Sequence, residues 1–73
     1  MNDAELLSKA LIAVLFEVNK RGLDISQIVQ DAAGGLMGAR IYAPAAAEDK
    51  PAAVTVLREA LDQAQHYIEI NNT

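Results

Sequence analysis

The sequence predicts an all-α fold of three helices, and three observations predict it. From Pro51 to Ile70 the apolar residues Ala53, Val54, Leu57, Ala60, Leu61, Ala64 and Ile68 recur at steps of three and four, the period that aligns side chains on one stripe of a helix. Residues Lys20 to Gln27 spell a helix stop followed at once by a helix start. The composition is 52% hydrophobic, much of it alanine, with only Phe16, Tyr42 and Tyr67 as aromatics, which suits close-packed helices around an aliphatic core.

The first helix is expected near residues 3–20. Asn2 or Asp3 can cap it, and the Asn2 to Glu5 spacing is that of a capping box. Leu7, Leu11, Val14 and Val18 form its central apolar stripe, flanked by Leu6, Ala10 and Leu15. Ile12 and Phe16 fall outside that stripe, one turn apart on the far side among Glu5, Lys9 and Lys20. A side expected to be polar in a three-helix monomer thus carries two large apolar residues, which points to contact with another chain.

At the corner, Gly22 suits the left-handed position that follows a helix, and Lys20 and Arg21 complement the negative end of its dipole. Asp24 and Gln27 have capping-box spacing for a second helix, expected at 25–34 with Ile25, Ile28, Val29 and Ala32 on one side. Gly34, Gly35 and Gly38 crowd the next stretch, and each costs a helix interior about 1 kcal/mol against alanine, so the second helix is expected to stop at Gly34. Leu36, Met37 and Ile41 would extend its apolar side if it continued; otherwise residues 39–42 are expected to be extended ahead of Pro44, and the Ala-Pro-Ala-Ala-Ala-Glu-Asp-Lys segment to Lys50 reads as a Gly/Ala-rich connection. Glu48, Asp49 and Pro51 are suited to a helix start, and the long amphipathic C-terminal helix is expected at 51–70 with a fraying end at 71–73. Val56, Tyr67 and Ile70 widen its apolar stripe beyond what one partner helix covers.

All 73 residues are read as a single domain. A chain of this size hides only about 60% of the surface its unfolded form exposes. With no cysteine there is no disulfide to reinforce it, so efficient helix packing or self-association is expected to do so. The net charge of −4, with scattered cations, lacks the clustered basic footprint of nucleic-acid or anionic-membrane binding. No apolar run is long enough to span a bilayer, and the acids at Asp3 and Glu5 are unlike the start of a signal peptide; a soluble, cytoplasmic protein is expected.

Catalytic chemistry finds no constellation here. His66 follows Asp62 by one helical turn, but two ligands do not close a metal site, and no metal or cofactor is expected. Ser8, Ser26, Thr55 and Thr73 lack any nucleophile motif, and the carboxylates sit at helix starts or on wetted sides, so the chain reads as a non-enzyme. Its expected role is that of a self-associating interaction module, most simply a homodimer, regulating or inhibiting another macromolecule. Ile12, Phe16, Val56, Tyr67 and Ile70 are the candidate interface residues.

Two other classes follow from particular stretches. Gly22-Leu-Asp-Ile-Ser-Gln-Ile-Val29 resembles the helix-to-helix corner of helix-turn-helix and ribbon-helix-helix regulators, which implies DNA binding; no basic recognition helix follows it. A small molecule held between copies is the other, with Gly34, Gly35, Gly38, Arg40 and Tyr42 as candidate ligand-binding residues.

Overall fold

The computed structural model describes residues 2–38 and 40–72, with the side chain of Asn72 left out. It contains three helices, α1 (Asp3–Lys20), α2 (Ile25–Met37) and α3 (Asp49–Asn72), and no strand among the described residues. The chain is a small all-α three-helix domain.

Local chemistry sets the first two helix starts. The Asn2 side chain accepts from the Glu5 amide at 2.9 Å, and the Asp24 carboxylate from the Gln27 amide at 3.2 Å, each satisfying a first-turn donor. Between them the chain turns at Gly22, whose φ of 84° lies in the left-handed region, and its amide donates to the Asn19 carbonyl at 2.9 Å.

The long helix α3 organises the other two, and α1 and α2 touch each other far less than either touches it. Gln65 Nε2 donates to Ser26 Oγ near the start of α2, whereas Lys50 Nζ donates to the Gly38 carbonyl just past its end; α2 and α3 are therefore antiparallel. Ile12 shares a cleft with Ala60, and Phe16 shares one with Tyr67, so α1 runs in the same direction as α3. The core consists of Ile12 and Leu15 from α1, Ile25, Val29 and Ala33 from α2, and Leu57, Ala60 and Ala64 from α3. Alanines at Ala60 and Ala64, the latter fully buried, let neighbouring helices come close to α3. No polar or charged side chain is buried among the described residues.

The structure corrects four expectations. Helix α2 does not stop at Gly34 but continues through both glycines to Met37. Tertiary contacts offset the glycine cost: Tyr42 and Arg40 fold back over Gly35, and Lys50 holds the Gly38 carbonyl at 2.6 Å. The residues after it are not extended, since the Ala43 amide donates to the Arg40 carbonyl in a turn; Ala39 lies outside the described residues. Helix α3 starts two residues earlier than expected and ends two later. Amides of Asp49 and Lys50 bond back to Ala46 and Ala47, which lead into the helix ahead of Pro51. At the other end half-buried Ile68 anchors the turn from which 69–72 continue, so Asn71 and Asn72 are helical, while Thr73 lies outside the described residues.

The fourth correction concerns which side of α1 faces inward. Ile12 is 8% exposed and belongs to the core, whereas Leu7 is 71% exposed and Val14 59%. The helix is turned by about one residue, some 100°, from the orientation that its Leu7–Leu11–Val14–Val18 stripe suggested. Apolar residues occupy both sides of α1, and the side that fits the alanine-lined surface of α3 is the one carrying the bulky, closely spaced Ile12 and Leu15.

Candidate interaction surface

The surface begins with what α1 leaves outside. Its exposed side carries, in order, Asp3, Leu7, Ala10, Val14, Glu17 and Arg21, with half-buried Leu11 and Val18 along the edge where the helix meets the core. Leu7, Leu11, Val14 and Val18 are spaced by four, three and four residues, the spacing of a helix that pairs with another helix. Between Leu7 and Val14 this strip holds no charge, and the acids and bases lie towards its ends.

A second apolar region lies at the junction of α1 with α3. A groove of about 390 Å³ there is lined by Lys9, Ile12, Ala13, Phe16, Glu17 and Tyr67. Lys9 reaches across it, its Nζ 3.4 Å from the Tyr67 hydroxyl and 5.8 Å from the centre of the ring, so the cation stands at the hydroxyl end of the tyrosine. His66 lies beside the same ring, 6.1 Å between centroids.

The five residues expected at an interface are thus dispersed. Ile12 is inside the core and is not available to another chain in the folded state. Phe16 is half-buried in the α1–α3 groove and shares it with Tyr67. Val56 and Ile70 are exposed, but fourteen positions of α3 separate them, with Glu59, Gln63 and the Lys9–Tyr67 contact between. They do not make one patch. The α1 strip does, and sequence reasoning assigned its residues to the core; the four-three-four spacing was the available signal, and it reads identically for a core stripe and for a stripe facing a partner.

The candidate ligand residues lie at the end of α2 and in the turn that follows it. A Cβ on Gly35 would overlap the Tyr42 hydroxyl and stand 2.7 Å from its Cζ and 2.9 Å from Arg40 Cγ, so Gly35, Arg40 and Tyr42 are one packed contact. The Gly38 carbonyl is taken by Lys50, and Gly34 faces open space. Asp62 and His66 share a shallow depression with Gln63, and no group of three His, Cys, Asp or Glu side chains gathers to hold a metal among the described residues.

Electrostatics adds little. The Lys20–Glu17 pair, 3.6 Å apart on the exposed surface of α1, is of the kind that contributes little to stability. No described helix is long and apolar enough to cross a membrane.

What the surface does hold is excess area. The chain exposes 5233 Å², whereas a folded monomer of 7.8 kDa is expected to expose about 4,400 Å². Its Cα extents of 41 × 29 × 15 Å describe a slab, in which each helix keeps a side open to solvent.

Searches against family models, curated proteins and solved structures found no match for this chain.

Proposed function

We propose that this chain is a non-enzymatic helical interaction module that self-associates and acts, as an assembled unit, as a regulator or inhibitor of another macromolecule. The observation that carries this reading is the excess of exposed surface over that of a compact monomer, roughly 850 Å², close to the 800 Å² or so that each partner contributes to a standard interface. Large apolar side chains supply much of that surface: Leu6, Leu7, Val14, Val56 and Ile70 are all exposed.

The wholly apolar core and the scattered polar surface support association over catalysis, because general acid–base work needs titratable groups held in a partly dry setting. DNA binding is less well supported. In α2, the element that would enter a groove, the sole charged residue is Asp31. The acidic balance suits a basic partner surface and also keeps the assembly soluble. We place its activity in the cytoplasm, where a chain without cysteine lacks no stabilising bond.

Size-exclusion chromatography with light scattering tests the reading. The expected result is a mass that rises with concentration towards a multiple of the 7.8 kDa chain. A mass of one chain up to millimolar concentration overturns it.

A further inference from the structure

We propose that the exposed strip of α1 is the self-association surface, and that it takes the α1 strip of a second copy laid antiparallel across a two-fold axis. The inference rests on the self-association reading above and names the surface and the occupant.

Four observations select this face and this occupant. Continuity is the first: Leu7, Ala10, Leu11, Val14 and Val18 lie together along one helix, whereas the exposed apolar residues of α3 are interrupted by Glu59, Gln63 and the Lys9–Tyr67 contact. The second is exposure, since Leu7 and Val14 are among the most exposed large apolar residues of the helices while Leu11 and Val18 rest on the core beneath them. Such a seam is half anchored and half open, with its exposed members at alternate positions. Spacing is the third, because steps of four, three and four residues keep a side chain facing a neighbouring helix along the whole contact. Ala10, in the middle, lets the two backbones come close.

Charge is the fourth observation, and it sets the direction. Asp3 stands at one end of the strip and Arg21 at the other. A parallel pair would set like charge against like at both ends. In an antiparallel pair Leu7 faces the second copy's Val18, Leu11 faces the second copy's Val14, and Asp3 comes beside the second copy's Arg21. The two helix dipoles then also oppose one another. A two-fold axis between Leu11 and Val14 generates every one of these contacts twice, as an isologous interface requires. An unrelated helical partner has no reason to match both the spacing and the charge order; a second copy matches both by construction.

Sedimentation velocity on the full chain, with helicity followed by circular dichroism, tests the assignment. Five proteins are compared: the unaltered chain, the Leu7→Glu/Val14→Glu double variant, Val56→Glu, Asp3→Lys, and Asp3→Lys combined with Arg21→Glu. The unaltered chain and Val56→Glu should sediment as dimers. The double variant should associate at least ~100-fold more weakly with its helicity intact, because the interface would have to bury two carboxylates at each copy. Asp3→Lys should weaken association by roughly 2- to 5-fold, and adding Arg21→Glu should restore it. Dimers that survive the double variant but dissociate in Val56→Glu would place the interface elsewhere and overturn this assignment while leaving self-association standing. A strictly monomeric unaltered chain overturns both. Should the double variant unfold, the charge pair decides: rescue by Arg21→Glu supports the antiparallel strip, and its failure overturns it.

Discussion

Replacing Gly34 by alanine separates two accounts of how α2 ends. Gly34 is helical in the structure, its φ is not positive, and a Cβ placed on it meets no atom within 4 Å. Alanine is favoured over glycine inside a helix by about 1 kcal/mol, because glycine loses more backbone freedom on folding. With no neighbour to displace, Gly34→Ala should deliver that gain nearly whole, and about 1 kcal/mol corresponds to a rise in Tm of roughly 4–8 °C for a domain of this size. Thermal unfolding by circular dichroism, at fixed protein concentration because association also shifts Tm, measures it. Were Gly34 instead the left-handed residue that terminates a helix, alanine would cost about 1–2 kcal/mol and Tm would fall. A fall would refute the helix through 34–37. The neighbouring glycine gives a contrast, since a Cβ on Gly35 strikes the Tyr42 hydroxyl. Gly35→Ala should therefore lie about 1 kcal/mol or more below Gly34→Ala, and Tyr42→Ala in the same chain should narrow the gap.

The remaining predictions concern the corner and the core. Gly22→Ala should destabilise by about 1–2 kcal/mol, since the φ of 84° is strained for any side chain even though there is room for one; urea unfolding reads this. Val29→Ala removes two methyl groups from a site 2% exposed and should cost about 2 kcal/mol, a large share of the stability of so small a domain. Ala64→Leu should cost about 1–3 kcal/mol or prevent folding, because Ala64 is 0% exposed and α3 approaches its neighbours there; the loss of dispersed amide resonances in an NMR spectrum would show it.

Features set by local chemistry were legible in the sequence. The Asn2 and Asp24 caps, the glycine turn and the long period of α3 each depend on residues within a few positions of one another, so reading along the chain finds them. The end of α2 was not legible in that way. Three glycines locally argue against a helix, yet α2 runs through Gly34 and Gly35 to Met37, with Tyr42 folding back over Gly35 and Lys50 arriving from the next helix to take the Gly38 carbonyl just past the end. The orientation of α1 was hidden for a different reason. Leu7, Leu11, Val14 and Val18 make one apolar side and Ile12, Leu15 and Phe16 another, and periodicity weighs them almost equally. The choice is made in three dimensions, by which side fits the surface around Ala60 and Ala64. The surplus of apolar helix surface was therefore readable, but the helix face that bears it was not.

The most direct measurement is an isotope-filtered NOE experiment on a mixture of labelled and unlabelled chains, which detects only contacts between copies. At 7.8 kDa per chain the proposed pair of copies is well within reach of such spectra. The account predicts intermolecular contacts between the methyl groups of Leu11 and Val14 and between those of Leu7 and Val18. Intermolecular contacts confined to Val56, Tyr67 or Ile70, or none at concentrations where light scattering finds two chains together, would contradict it.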